Sequence, residues 1–159
     1  MRIQVHHLKH ALDLVAPAVA RKATLPITQD VLLQGRRLTA YDLELAVVAT
    51  LPPDPTLAEP QDNDFTCTLP YRQICAMLKH VPGSAVAELS VQGNTITLTA
   101  GPDRLRVQGH DPLEFPPLPQ LPVEGEPVDG DRFIKALMAA LPYTAGAKDL
   151  RPVLNAVCV

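Results

Sequence analysis

The amino-acid sequence predicts an α+β fold, in which helices pack on antiparallel sheets, and three observations support this class. Apolar and polar residues alternate through the middle of the chain, as in strands with one buried face. Apolar residues follow helical spacing in three separate segments. Those segments also share a short sequence pattern, which indicates an internal repeat of strand, helix, loop and strand.

The first repeat opens with an amphipathic helix in residues 6–20, which leaves Lys9 and Asp13 outside its apolar stripe. The stripe residues occupy positions i, i+3, i+4, i+7 and i+11, namely Leu8, Ala11, Leu12, Val15 and Val19. A tight turn at residues 34–37, "QGRR", then separates a strand at 31–33 from one long strand at 38–51.

The second repeat begins at Pro70, a residue that suits a first helical turn. The apolar stripe of this helix consists of Tyr71, Ile74, Cys75, Leu78 and Val81. A meander of three strands follows, with turns at Gly93-Asn94 and at residues 101–103. In these strands Leu89/Val91, Ile96/Leu98 and Leu105/Val107 alternate with polar residues.

A third helix is predicted in residues 129–142, with Asp129 or Asp131 capping its exposed amides. Its inward-facing stripe consists of Phe133, Ile134, Leu137 and Leu141. The three helices share the pattern x-A-[LM]-x-x-x-x-P, with alanines at positions 11, 76 and 136. The third copy is expected to stop after its second strand, residues 153–159.

A proline-rich segment, residues 110–130, separates the second and third copies. Its composition predicts an extended, stiff and exposed interdomain linker. We therefore expect one domain in residues 1–120, and in residues 121–159 a linker followed by the opening strand, helix and strand of an incomplete second domain.

Composition excludes several classes of protein. With 47% hydrophobic residues the chain can bury a core, and a net charge of −3 argues against nucleic-acid binding held by global charge, though not against a local basic face. Three cysteines without C-x-x-C spacing encode neither a disulfide framework nor a zinc ribbon. No apolar run approaches the ~18 residues of a membrane span, so we expect a soluble, cytoplasmic protein.

No catalytic motif is found, and two candidate clusters favour structural interpretations. Asp42 and Glu44 are predicted on one strand face, where they could form an acid/base pair, but no neighbouring residue would separate their pKa values. His6, His7 and His10 could contribute metal ligands, since His6 and His10 share a helical face, but a third ligand is missing there. Solvated surfaces are the preferred interpretation of both.

Basic residues lie outside the apolar stripes of all three helices. They are Lys9, Arg72, Lys79, Arg132 and Lys135. Such faces could form a track for a polyanion, although an ordinary solvated surface explains the charges as well.

Four motifs resemble the bacterial DNA polymerase III beta subunit, the sliding clamp, in the family's order and at close to its spacing. They are "ATLPI" (23–27), "LTAYDLELAV" (38–47), "DPLEFPPLP" (111–119) and "KDLRPVLNAV" (148–157), and they cover the whole chain. The resemblance implies a DNA clamp fold, in which two helices pack on antiparallel sheets in a pseudo-twofold repeat. Asp42 and Glu44 then belong to the scaffold.

The resemblance implies that the protein functions as a DNA polymerase processivity factor. Two subunits of three domains each would form a ring around duplex DNA and tether the replicative polymerase, without a catalytic site or cofactor of their own. The implied DNA-contacting residues are Arg21, Lys22, Arg72, Lys79, Lys148 and Arg151. Pro152 and Val153 stand where the family often has two aromatics, which argues against base stacking there.

The chain is shorter than a clamp, and two interpretations follow. It is either the N-terminal portion of a clamp or a short clamp-like module that self-associates, or pairs with a full clamp, without encircling DNA. In both cases the surfaces for polymerase and clamp loader would lie in parts that this chain does not contain. Leu105 and Val107, on an edge strand that resembles the family's subunit interface, are the predicted contacts of a homo-oligomer.

Overall fold

The computed structural model describes residues 1–22, 24–53, 66–119, 127–145 and 152–158. The chain divides into two compact units, residues 1–119 and 120–159. The first unit contains two four-stranded antiparallel sheets and two helices, which confirms the predicted α+β class.

The first unit is built from two halves with the same order of elements. One half consists of β1 (Arg2–Gln4), α1 (Val5–Val15), β2 (Asp30–Gln34), β3 (Arg37–Tyr41) and β4 (Ala46–Thr50). The other consists of β5 (Thr66–Pro70), α2 (Tyr71–Leu78), β6 (Val86–Gln92), β7 (Thr95–Ala100) and β8 (Asp103–Gln108). This repetition is the predicted pseudo-twofold arrangement.

Each half contributes its opening strand to the sheet of the other half. The sheet orders are β1-β6-β7-β8 and β4-β3-β2-β5, so β1 pairs with β6 and β5 pairs with β2. In register, Arg2 lies opposite Glu88, and Leu33 lies opposite Cys67. Neither half can therefore complete its own sheet alone.

The helices bury the stripes that the sequence predicts, and they contact each other as well as the sheets. In α1 the buried members are Leu8, Ala11, Leu12 and Val15, and around α2 they are Ile74, Leu78 and Val81. Val19, Tyr71 and Cys75 are only partly buried against this core.

The shared pattern x-A-[LM]-x-x-x-x-P does not align α1 and α2 at structurally equivalent residues, because it is shifted by one position between these two helices. Ala11 is buried, whereas Ala76 and Ala136 are exposed. Aligning the helices at their first residues instead matches the buried Leu12 with the buried Leu78. The repeat is therefore real in topology, but the pattern places α2 one residue out of register with α1, whereas between α1 and α3 it agrees with alignment at the first residues.

The predicted hairpin turns are confirmed. Gly35 joins β2 to β3 and Gly93 joins β6 to β7, with φ angles of 56° and 58° that favour glycine. The long strand predicted at 38–51 is wrong, because a turn at residues 42–45 divides it into β3 and β4.

The segment that leaves β8 is not the exposed linker predicted from its prolines. Asp111 caps a short 3₁₀ helix, Pro112–Glu114, by accepting a hydrogen bond from the Leu113 amide at 2.9 Å. Phe115 is then buried against Ile27 and Leu32. We call residues 109–115 the strap. Its apolar residue belongs to the core of the first unit, and the prolines alone did not indicate this.

The second unit contains α3 (Gly130–Ala140), which Asp129 caps as predicted by accepting from the Asp131 and Arg132 amides. Its predicted inward-facing stripe is wrong, since Phe133, Ile134 and Leu141 are 38%, 58% and 46% exposed. Residues Pro152–Asn155 form a 3₁₀ helix where the start of a strand was predicted. A helix buries its stripe only against another layer, and no strand is found in the described parts of this unit.

Candidate nucleic-acid interface

Two predicted DNA-contacting residues that are far apart in sequence meet at the first turn of α2. The Arg72 guanidinium donates a hydrogen bond from Nη2 to the Arg21 carbonyl at 3.1 Å. Both side chains are exposed, and the exposed Lys22 follows directly. We call Arg21, Lys22 and Arg72 the basic cluster; it places three cations at one end of the helix pair.

Local structure explains how the loop after α1 presents these cations. A 3₁₀ turn, Ala16–Ala18, ends the helix, and a second one, Pro26–Gln29, leads into β2. Between them, the Ala20 amide donates to the Thr28 carbonyl at 3.0 Å. Thr28 is buried and donates from Oγ1 to Leu25 at 2.8 Å. The loop is thereby held at both ends.

A groove of about 330 Å³ runs between α1 and α2. It is lined by Lys9, Leu12, Asp13, Cys75, Leu78 and Lys79. Lys9 is engaged in the fold, because its Nζ donates to the Val81 carbonyl at 2.7 Å. Lys79 is exposed and lies seven residues after Arg72, which is about 10 Å along a helix axis. Arg72 and Lys79 therefore share one side of α2.

The polar groups in this region that could be nucleophiles are kept neutral. Burial raises the pKa of Tyr71 to about 12, with a smaller contribution from Cys75. Burial also raises the pKa of the Cys75 thiol. Neither group ionises near neutral pH, so the positive charge of the surface comes from lysine and arginine, beside the exposed carboxylate of Asp13.

The remaining predicted DNA contacts, Lys148 and Arg151, lie outside the described residues. In the second unit, Arg132 and Lys135 are exposed on α3, and Arg132 Nε is 3.7 Å from an Asp129 carboxylate oxygen. Val153, which stands at one of the positions where the family often has an aromatic, is 78% exposed.

Asp42 and Glu44 do not share a strand face, and this expectation is wrong. The Asp42 carboxylate accepts hydrogen bonds from the Leu45 amide at 2.7 Å and the Glu44 amide at 3.0 Å. These two bonds, that from Leu45 first, lower the pKa of Asp42. The same turn holds Leu43 at a φ of 81°. Asp42 closes the β3–β4 turn, since an aspartate readily bonds its own following backbone.

The N-terminal histidines lie on α1, where His6 contacts the segment that follows α2. His6 Nδ1 is 3.2 Å from the Gly83 carbonyl oxygen, and the His6 and His7 ring centroids are 3.9 Å apart. His10 is exposed. Within the described ranges, no group of three His, Cys, Asp or Glu side chains is placed to hold a metal ion.

Strand β8 lies at the edge of its sheet, as predicted for the interface strand. Leu105 and Val107 pair with Leu98 and Ile96, and both side chains are half-buried against the core of their own unit. Their own core already covers part of each side chain, and their contact with another molecule stays a prediction.

Sequence reasoning missed a polar cleft beside the basic cluster. It is lined by Gln29, Asp30, Pro70, Tyr71, Arg72, Gln73, Gln108 and His110. Asp30 is buried, and its Oδ2 lies 2.8 Å from His110 Nδ1. These residues come from three separate stretches of sequence and fit no spacing pattern. The one signal of this cleft in the sequence was Asp30, an acid at the start of the apolar strand β2.

Comparison with known proteins supports the resemblance. Residues 1–119 match the family described as DNA polymerase III beta subunit, N-terminal domain. The beta sliding clamp of Pseudomonas putida is 28% identical over 157 residues, which cover 96% of this chain and 41% of that protein. The chain thus spans about two fifths of the length of the curated relatives it matches.

Solved structures give the same result. The DNA polymerase III subunit beta of Pseudomonas aeruginosa has a TM-score of 0.80 at 26% identity, covering 98% of this chain and 42% of that one. The beta subunit of Streptococcus pyogenes reaches the same TM-score of 0.80 at 18% identity, and this likeness shows the fold alone. Among the described residues, no helix has the length and apolar character needed to cross a membrane.

Proposed function

Because the chain belongs to the DNA polymerase III beta subunit family, we propose that it is the N-terminal portion of a sliding clamp. As part of a ring, it would encircle duplex DNA and keep the replicative polymerase on its template. The observation that carries this proposal is the basic cluster, in which Arg21 and Arg72 are joined by a hydrogen bond across 51 positions of sequence.

Retention on DNA would come from ring closure, and the cations would contribute only weak contacts. Arginine and lysine on phosphates fix register and orientation without reading sequence. A few such contacts within a chain of net charge −3 give little affinity at physiological salt. Weak contact suits a ring that must slide, because each contact breaks easily.

The rest of the assignment follows from the same premise. The chain would act as a non-catalytic accessory subunit, with polymerase and clamp loader as partners of the whole clamp. Residues 121–159 would be the opening part of the second clamp domain, with Lys148 and Arg151 as further phosphate contacts.

The test is duplex binding at low salt by fluorescence anisotropy. We expect the double variant Lys22→Glu, Arg72→Glu to lose most of the weak low-salt binding of wild type. The slope of log K against log salt for the residual binding should be smaller by about 1.8, since each phosphate contact contributes about 0.9. The matched control, Arg37→Glu with Arg104→Glu, makes the same charge change on exposed strand positions and should bind as wild type does. Tight, salt-resistant or sequence-selective binding of the duplex would contradict the proposal.

A self-associating module is the second candidate, and the open edge of β8 favours it. We expect wild type to dimerise at micromolar concentration in sedimentation experiments, and Leu105→Asp with Val107→Asp to abolish the dimer. Val48→Asp on β4 serves as a control, because that residue lies on the edge of the other sheet. Since Leu105 and Val107 also pack on the core, circular dichroism must show that the variant is folded. A wild type that stays monomeric to about 100 μM would exclude pairing at β8 as a functional contact.

A further inference from the structure

The polar cleft beside Arg72 has the chemistry of a small recognition site. Its volume is about 220 Å³, below the ~300 Å³ at which pockets for drug-sized ligands begin. It suits a single ring system better than a larger ligand. Apart from Pro70, every lining side chain carries a hydrogen-bonding group.

The floor of the cleft is held rigidly. The Asp30 side chain is only 6% exposed, whereas that of its partner His110 is 41% exposed. The His110 carbonyl in turn accepts a hydrogen bond from Thr68 Oγ1 at 2.8 Å. Gly109 lies so close to Thr68 that a Cβ there would meet its carbonyl oxygen at 2.4 Å. The imidazole and carboxylate are therefore set in place before any ligand arrives.

The walls combine hydrogen-bonding amides with flat surfaces. Gln29 and Gln73 each supply a donor and an acceptor. Gln108 supplies its amide donor, because its Oε1 already accepts from Thr95 Oγ1 at 2.9 Å. The tyrosine and histidine rings supply flat faces. Amide side chains pair with base edges, and aromatic rings stack on base faces. The buried carboxylate accepts hydrogen bonds but repels phosphate. A phosphate would therefore lie at Arg72, on the rim.

We propose that this cleft binds one unpaired nucleobase of single-stranded DNA, with the adjoining phosphate on Arg72. Bases with an exocyclic amino group, adenine above all, bind better than thymine, because the Asp30 and glutamine oxygens need donors. The inference rests on the proposed function, since it places the site where single-stranded DNA adjoins the encircled duplex.

The experiment compares three labelled DNAs at low salt by anisotropy: a blunt duplex, the same duplex with a five-adenine overhang, and one with a five-thymine overhang. We expect the adenine overhang to bind at least about 5-fold tighter than the blunt duplex, since one stacked base contributes about 1–3 kcal/mol. It should also bind tighter than the thymine overhang, because thymine lacks the exocyclic amino group that donates to the oxygens of the cleft. Gln73→Ala with Gln108→Ala should remove this advantage and leave blunt-duplex binding unchanged. Gln34→Ala with Gln92→Ala, at exposed strand ends elsewhere, should retain it.

The outcomes separate the cleft from the clamp. Equal binding of all three DNAs by wild type overturns the cleft and leaves duplex binding intact. Binding of the adenine overhang without any blunt-duplex binding overturns the proposed function and keeps the cleft. As a direct readout, the side-chain amide resonances of Gln73 and Gln108 should shift in NMR spectra when a five-residue oligo(dA) is added. Unshifted resonances would overturn the site.

Discussion

Helices α2 and α3 carry similar apolar stripes but have opposite surroundings. In α2, Ile74 is 1% exposed, whereas Ile134 in α3 is 58% exposed. Both helices follow the same spacing and both form, α3 with the better cap, since Asp129 bonds two of its amides and no side chain caps α2. The comparison shows that periodicity determines whether a helix forms. Burial of its stripe depends on a second layer supplied elsewhere in the sequence.

The largest difference in stability between the two helices is expected when Ile74 and Ile134 are truncated to alanine. Ile74→Ala should lower the free energy of unfolding by about 2–5 kcal/mol, because it removes buried methylenes and leaves a cavity. Ile134→Ala should change it by less than about 0.5 kcal/mol. Urea denaturation followed by circular dichroism measures both. An equal loss for Ile134→Ala would show that the stripe of α3 is covered in solution.

Two glycines extend the comparison to the backbone. Gly109→Ala should cost about 1–3 kcal/mol, because its Cβ would lie 2.4 Å from the Thr68 oxygen and 2.8 Å from Ile96 Cδ1. Gly130→Ala, at the start of α3, meets nothing within 4 Å and should be neutral or stabilise by up to about 1 kcal/mol. Thermal unfolding of the two variants gives the difference. Equal melting temperatures would contradict the close packing of the strap.

The cysteines give the smallest effect. Burial raises the pKa of Cys67 to about 12 from an ordinary value of 9.0, so the folded state keeps the proton that the unfolded state releases. The stability due to this proton is complete below pH 9 and is lost as pH rises towards 12. It falls by about 1.4 kcal/mol at pH 10. We expect Cys67→Ala to lose this part of the pH dependence and Cys158→Ala, at an exposed thiol, to retain it. Identical curves for both variants would contradict the buried thiol.

Much of the first unit could be predicted from local signals. Alternation of apolar and polar residues predicted β6, β7 and β8. Gly93, which adopts a positive φ in the structure, predicted the turn between β6 and β7. The turn at Asp42 was missed because an aspartate bonding to its own backbone leaves the apolar alternation of the sequence intact. Phe115 was missed because proline content describes the stiffness of a segment and not the place where its apolar residue packs.

The candidate site also has residues that one segment of sequence could suggest and residues that it could not. Arg72 could be proposed from its place in a helix and from the family resemblance, and its role as a DNA contact stays a prediction. The cleft depends on Gln29, Asp30, Gln73 and Gln108, which meet only after β2, β5, β8 and α2 have assembled. No periodicity in one segment encodes such a meeting, and the same holds for the contact between Arg21 and Arg72.

The exchange of opening strands between the two halves also has a consequence during synthesis. Strand β1 emerges first, but its partner β6 follows only when Glu88 has been added opposite Arg2. At about 5–20 residues per second, the N-terminal strand waits roughly 4–17 s for its partner. We expect the first unit to be completed in a late step on the ribosome, because a nascent chain that ends before β6 contains every strand of the sheet β4-β3-β2-β5 but only β1 of the other sheet.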